Sequence, residues 1–334
     1  MKNANTMPPY RADMFMGKTN DSIEAHLMYA SIELDLYKYL KIAVSSDEVA
    51  IRTGYNQRNL KLMLNALTAM GFLEKGDNKY RNIPETDYYL NSQSDMYLGD
   101  HILYWRDMTQ LDNVFELVKN GPSEKSFDDE NGSDFFDFRS MGQGARNAMY
   151  LGRVQNLIGS LQKIFKKNDF FKSFDMGAGS GIMSLEVARN FPNASITVFD
   201  QANVIDLTKE IIKEYDMEKR IQVQAGNFVT DAFKDKYDLI ITAGVLDFVG
   251  DLESMLLKLK DSLSEDGYIY VVTHGINDEF TGPKPFVLGW LSSHLNGLDV
   301  LKSDPYIRAS IDKAGFEIVE EQKEYQSYIV RIKK

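Results

Sequence analysis

Apolar and polar positions alternate in two different ways along this chain. Between about residues 20 and 100 the spacing is mostly helical. In "DSIEAHLMYASIELDLYKYL" (Asp21 to Leu40) the apolar residues Ile23, Leu27, Ala30, Leu34 and Tyr37 share one side of a predicted helix. "SSDEVAIRTG" opens on a serine cap and closes at Gly54, which predicts a short helix. "NQRNLKLMLNALTAMG" predicts another, stopped by Gly71 and apolar on all sides, hence buried. "FLEKGDNKYRNI" follows as two strand-like runs around Lys75-Gly76-Asp77-Asn78, a turn composition. Three helices and a hairpin in this order predict a winged helix-turn-helix.

Residues from about 100 to 165 read as mostly helical, interrupted by the polar stretch "GPSEKSFDDENGSD" (Gly121 to Asp134), which predicts an exposed loop. From Lys172 the pattern changes to strand and helix in alternation. "KSFDM", "ASITVFD", "RIQVQA", "YDLIITAGVL" and "YIYVVTH" are strands, and the segments between them are helical, the last ending near Gly267. "PYIRASIDKAGFEIVEEQKEYQSYIVRIKK" predicts a helix and two closing strands. Alternation of this kind predicts a mostly parallel sheet with helices on both faces and an antiparallel edge. The expected division is residues 1–100, a helical connection over 101–165, and a Rossmann-like α/β domain over 166–334.

Charge and composition narrow the function. The chain has 334 residues and a formal net charge of −11, which disfavours general affinity for nucleic acid or an anionic membrane. It has no cysteine and only His26, His101, His274 and His294, so neither disulfide, thiol nucleophile nor metal site is expected. The first residues, "MKNANTMPPYRAD", lack the apolar core of a signal peptide, and no apolar run reaches the ~20 residues of a membrane span. A cytoplasmic location is the expectation.

The candidate chemistry starts at "FDMGAGSG" (Phe174 to Gly181). Gly177, Gly179 and Gly181 permit a tight turn after a strand and close backbone approach by a ligand. A dinucleotide fingerprint would need glycine at Ile182, and a P-loop would need a following lysine; neither is present. Asp200 ends the next strand, where it can accept hydrogen bonds from two ribose hydroxyls.

With "AGNF" (Ala225 to Phe228), "YDLIITAGVL" and the closing "AGFEIVEE", the chain resembles the class I S-adenosylmethionine (SAM)-dependent methyltransferases. It is similar to the small-molecule O-methyltransferases that include plant caffeic-acid-type and bacterial antibiotic-tailoring enzymes. The resemblance implies an α/β Rossmann-like SAM-binding domain with an N-terminal, mostly helical winged-helix dimerisation domain. It implies SAM as cofactor and S-adenosylhomocysteine (SAH) as product, without metal. Asp175, Gly177 and Gly179 would serve the methionine part, with the Gly177 and Gly179 amides approaching it. Asp200 and Gln201 would serve the ribose, Asn227 and Phe228 the adenine, with Thr242 alongside. The partners implied are a small-molecule methyl acceptor and a second copy of the chain. The implied homodimer would be intertwined, each N-terminal domain covering the other's active site. A DNA- or ligand-binding regulator on the same scaffold is the alternative of another class.

The chain departs from the family at the base. The family signature Val-Leu-His-Asp-Trp is here Val245-Leu246-Asp247-Phe248. Three readings stay open. Asp247 is itself the base, although a carboxylate is a weak base toward a phenol. His274, ending the neighbouring strand, supplies the imidazole and pairs with Asp247. Or no base is needed, as in C-methylation or other SAM-using chemistry. Asp247 could instead merely cap the helix at "LESMLL". For the acceptor pocket the resemblance points to Met149, with Arg146 and Tyr150 nearby in "ARNAMYLGR", and to "FVLGWLSSHL", where Trp290 and His294 are four apart on one helix face.

Overall fold

The computed structural model describes residues 10–122, 135–233 and 235–334. Most of the expected Gly121–Asp134 loop lies outside the described residues. The chain divides into two compact units, Met1–Leu103 and Tyr104–Lys334.

In the first unit the opening helix runs Asp13–Glu33, starting earlier and ending sooner than the apolar spacing predicts. It stops because the chain turns at Asp35, in the left-handed region at φ 49°, and Tyr37–Tyr39 continues as a single 3₁₀ turn. The buried side chains are therefore Ile32, Leu36, Tyr37 and Leu40, while Ile23 is 55% exposed. Ser46–Thr53 forms the second helix. Its Ser45 cap shares a reciprocal capping box with Glu48, and it ends at left-handed Gly54. The third helix, Gln57–Ala69, is amphipathic rather than apolar all round: Leu60, Leu64 and Leu67 are buried, but Leu62 is 53% exposed. The hairpin forms as expected from its turn residues, with Asp77 and Asn78 both at positive φ. Strands β1 (Val44–Ser45), β2 (Leu73–Gly76) and β3 (Lys79–Asn82) make a small antiparallel sheet in the order β1-β3-β2.

The second unit begins with helices, among them Phe138–Ala148 and Arg153–Leu161. Its sheet contains β4 (Lys172–Met176), β5 (Ser195–Asp200), β6 (Ile221–Ala225), β7 (Tyr237–Ala243), β8 (Leu263–Val272), β9 (Phe316–Gln322) and β10 (Ser327–Ile332). The order is β6-β5-β4-β7-β8-β10-β9. The first five strands are parallel, and β10 runs antiparallel between β8 and β9. β8 starts five residues before the expected "YIYVVTH", because the preceding helix ends at Ser262 and Leu263 already pairs with Tyr237.

Burial on both faces follows the period of two. Leu239 and Ile241 pack with the helices Ile182–Asn190 and Ala202–Glu214, while Ile240 packs on the opposite side with Leu252–Ser262 and Asp304–Lys313. The strand order reverses between β4 and β7. The loops leaving their carboxyl ends therefore flank one crevice, where a doubly wound sheet binds its ligand.

Candidate active site

The glycine loop after β4 is built by backbone geometry. Gly177, Gly179 and Gly181 all have left-handed φ, at 74°, 55° and 72°. A Cβ at Gly177 would sit 2.6 Å from Val245 Cγ2, and one at Gly181 would sit 2.6 Å from Thr208 Cγ2. At Gly179 it would meet nothing within 4 Å, so the loop is tight below and open above that residue.

Asp200 locks this loop. Its Oδ2 accepts from the Gly179 amide and its Oδ1 from the Gln201 amide, both at 2.8 Å. Burial nevertheless raises its pKa to about 6, against the lowering effect of those two amides. The Gly177 amide donates to the Phe199 carbonyl at 2.8 Å. Both amides expected to approach the methionine part are thus already bonded within the protein, and close approach depends on the missing side chains. Asp175 is 2% exposed and accepts from the Ser184 hydroxyl at 2.8 Å. Burial raises its pKa to about 7. Asn227 turns its Oδ1 onto the Val229 amide at 2.8 Å, and Phe228 is half-buried against the core.

These groups fit SAM. The open face of Gly179 is a cradle for a ligand. Asp200 keeps a second lone pair on each oxygen, and two hydroxyl donors would stabilise its anion.

Across the crevice, Asp247 sits in the 3₁₀ turn Leu246–Phe248 and is fully buried. It does not cap the next helix; Asp251 does, accepting from the Ser254 amide. Asp247 Oδ2 lies 3.2 Å from His274 Nδ1, but neither atom has an aligned hydrogen-bond partner. The His274 amide approaches Asp247 Oδ1 at 3.4 Å. Aromatic rings wall the imidazole: Phe286 at 5.2 Å, Trp290 at 5.3 Å and Phe248 at 6.0 Å between centroids, all near-perpendicular.

The expected pocket residues divide. The helix Phe138–Ala148 ends before Met149 and Tyr150, so these two lie in the turn that follows it. Met149 and Tyr150 pack on the sheet's core side, and the Tyr150 hydroxyl donates to Glu186 at 2.8 Å. Arg146 forms a bidentate pair with Glu214 at 2.6 and 2.8 Å. Thr242 is fully buried and donates to the Tyr270 carbonyl at 3.4 Å, inside the sheet. These four do not meet the Asp247–His274 cluster. Met141, about two turns earlier and within the helix, does join its aromatic cluster, along with Phe136, Phe138 and Phe286. Met149 keeps helical backbone angles and donates its amide to the Ala145 carbonyl, so the two methionines differ in the side of the helix they occupy.

"FVLGWLSSHL" is likewise two short helices, Lys284–Gly289 and Leu291–Leu295, broken at Trp290. Trp290 is buried beside His274, whereas His294 turns to Asp299 at 2.9 Å and to the Phe280 ring. Sequence reasoning also passed over Arg153. Burial lowers its pKa, while the nearby Asp247 and Tyr270 favour its charge.

Two clefts lie away from this site. One of about 680 Å³, lined by Ser195, Lys209, Arg220 and Val223 among others, opens at the amino ends of β5 and β6. A second borders Asp251 and Tyr306. Neither touches the glycine loop or Asp247. The strand carboxyl ends, where the chemistry converges, define the site.

The O-methyltransferase domain profile matches residues 112–284, a little over half of the chain. The chain belongs to the O-methyltransferase family. It is therefore a SAM-dependent enzyme of the α/β methyltransferase fold. It is 25% identical to the tetracenomycin polyketide synthesis 8-O-methyl transferase of Streptomyces glaucescens, over 79% of each chain. It is also 25% identical to the N,N-dimethyltransferase OxyT of Streptomyces rimosus, over 93% of this chain and 92% of that protein. The human N-acetylserotonin methyltransferase, solved in complex with SAM, superposes over 100% of both chains with a TM-score of 0.77 at 19% identity. Among the described residues, no group of three or more metal-binding side chains forms, and no helix is long and apolar enough to cross a membrane.

Proposed function

We propose that this O-methyltransferase transfers methyl to a hydroxyl of a small aromatic acceptor, with Asp247 and His274 exchanging the family's usual places for base and acid partner. The observation that carries this reading is the 3.2 Å approach of Asp247 Oδ2 to His274 Nδ1 within a ring of aromatic side chains. When bound, SAM supplies an electrophilic methyl group and leaves as SAH. Asp200, with Gln201 beside it, would hold the ribose; the open backbone at Gly179 and the carboxyl of Asp175 would serve the methionine part. Phe228 and Asn227 would border the adenine, once Asn227 gives up its local bond to Val229.

His274 takes the hydroxyl proton as the oxygen attacks, and Asp247 holds the ring and stabilises its protonated form. Phe248, Phe286 and Trp290 exclude water and offer flat apolar surface to the acceptor. The aromatic character of the acceptor is also supported by relatives such as the 3-hydroxy-5-methyl-1-naphthoate 3-O-methyltransferase of Streptomyces sahachiroi. A metabolite screen with isotope-labelled SAM tests the proposal. A labelled aromatic ether is the expected product; label on carbon or nitrogen alone would overturn it.

We also propose a cytoplasmic homodimer, formed through a winged-helix N-terminal unit that binds its own copy rather than DNA. Tyr10, Met14, Phe15, Met16 and Ile23 are all more than half exposed in and just before the helix Asp13–Glu33, an apolar run that a partner subunit would cover. The exposed Leu62 on the helix Gln57–Ala69 suits a protein surface better than a DNA groove. Light scattering at micromolar concentration should give twice the chain mass, and a monomer would rule the dimer out.

A further inference from the structure

Three buried polar atoms without an aligned partner meet in one aromatic cluster: Asp247 Oδ2, His274 Nδ1 and Trp290 Nε1. The first two face one another, and the proposed base accounts for them. The third is unexplained. Trp290 is 3% exposed. Its ring stands edge-on to its neighbours, with centroids 5.3 Å from His274, 5.3 Å from Phe136, 5.1 Å from Phe248 and 6.1 Å from Trp105.

An indole N–H can only donate, and leaving it unpaired in an apolar surround is costly. Phenylalanine would fill much the same space without that cost. The neighbouring Phe136, Phe248 and Phe286 rings offer it no oxygen, so an oxygen entering the cluster would find an unused donor.

Resting on the O-methylation reading above, we infer that Trp290 is a specificity residue whose indole N–H donates to a second oxygen of the methyl acceptor. The acceptor class is then a hydroxyaryl carbonyl compound, with a carbonyl oxygen close to the hydroxyl that is methylated. Closeness follows from the ring spacing. Imidazole and indole centroids 5.3 Å apart are spanned by substituents on one ring or on two fused rings. The arrangement also explains selectivity. A simple phenol would make the same aromatic contacts but leave the N–H unpaired, and a site built to hydrogen-bond discriminates strongly against the analogue lacking the oxygen.

The test uses the full-length protein with SAH bound and two probes. One is a hydroxyanthraquinone with its hydroxyl beside a ring carbonyl; the other is the matching anthracenol, which has the hydroxyl alone. Calorimetry should show the wild-type protein preferring the carbonyl compound by about tenfold or more. Trp290→Phe should bring that ratio close to one while still binding SAH. The chain has two tryptophans, so its indole N–H signals can be assigned by NMR with W290F and W105F. The Trp290 signal should move downfield on addition of the carbonyl probe and not on addition of the anthracenol. This second measurement stands even if W290F does not fold. An unchanged ratio in W290F, or an unmoved indole signal with the carbonyl probe bound, would overturn the inference. So would failure of both probes to bind while SAH binds, which would leave the methyltransferase assignment intact. Failure of SAH itself would instead count against the cofactor reading.

Discussion

The two lips of the crevice are built on opposite principles. On the β4–β5 side, polar groups are spent within the protein. Asp200 holds two backbone amides, and Asp175 takes the Ser184 hydroxyl. On the β7–β8 side, Asp247, His274 and Trp290 stand close together with polar atoms that find no aligned partner. The first lip is shaped before any ligand arrives, so cofactor binding loses little to ordering. The second has hydrogen-bonding capacity in reserve among apolar rings, where each bond made to a substrate counts for more than it would in water. On the proposed reading, the cofactor meets a preformed lip in which the Asp200 carboxylate holds the backbone, and the acceptor meets side chains with bonds still to make.

The largest effect that would sharpen this contrast is at the proposed catalytic pair. Asp247→Asn and His274→Ala should each lower kcat by about 10²–10⁴ while leaving SAM affinity nearly unchanged. The double variant should be little worse than either single one, because the pair acts as a unit. Steady-state kinetics with a labelled methyl donor reads this directly. An active His274→Ala enzyme would remove His274 from the mechanism.

Asp200→Ala should do the reverse. It would remove the two charge-assisted bonds proposed to the ribose, worth about 1.5–3 kcal/mol each at most, and free Gly179. Calorimetry should show SAM affinity weakened by roughly tenfold to several hundredfold. Unchanged affinity would break the assignment of the β5 carboxylate to the ribose.

The smallest effect concerns the cofactor side's own cost. Burial raises the Asp175 pKa from 3.8 to about 7. Between those values the folded protein holds a proton that the unfolded chain has lost, so this group's contribution to stability falls as pH rises through that window. Asp175→Asn keeps an oxygen for Ser184 but cannot ionise. Its melting temperature relative to wild type should climb from pH 4 to pH 7 and then level off, by a few degrees, equivalent to at least ~1 kcal/mol. A difference that does not vary with pH would show that burial is not what perturbs Asp175.

How much of this was legible along the chain depended on how local the cause was. The glycine turn, the Ser45–Glu48 capping box, the Asp77-Asn78 hairpin and the strands β4 and β5 are dictated within a few residues, and they form where the pattern places them. The parallel sheet follows from the strand–helix alternation. The same topology brings Asp247 and His274 together, because adjacent parallel strands deliver their carboxyl ends to one place.

Only the tertiary structure decided which side chains of the intervening segments face that place. Met141 packs with the aromatic cluster, whereas Met149 packs with the core that holds Leu157 and Ile182. Trp290 caps the helix that carries His294 and accepts from its amide, yet the two side chains part, Trp290 packing beside His274 and His294 turning to Asp299. Which way a side chain faces depends on what it packs against, and for Phe136, Phe138 and Met141 that is Phe248 and Trp290, more than a hundred residues away. The sequence by itself determined the fold, the cofactor loop and the two catalytic candidates, because period and turn chemistry are local. The surroundings of the acceptor, and the unpaired donor within them, arise from distant segments packing at the ends of β7 and β8, where no local period operates.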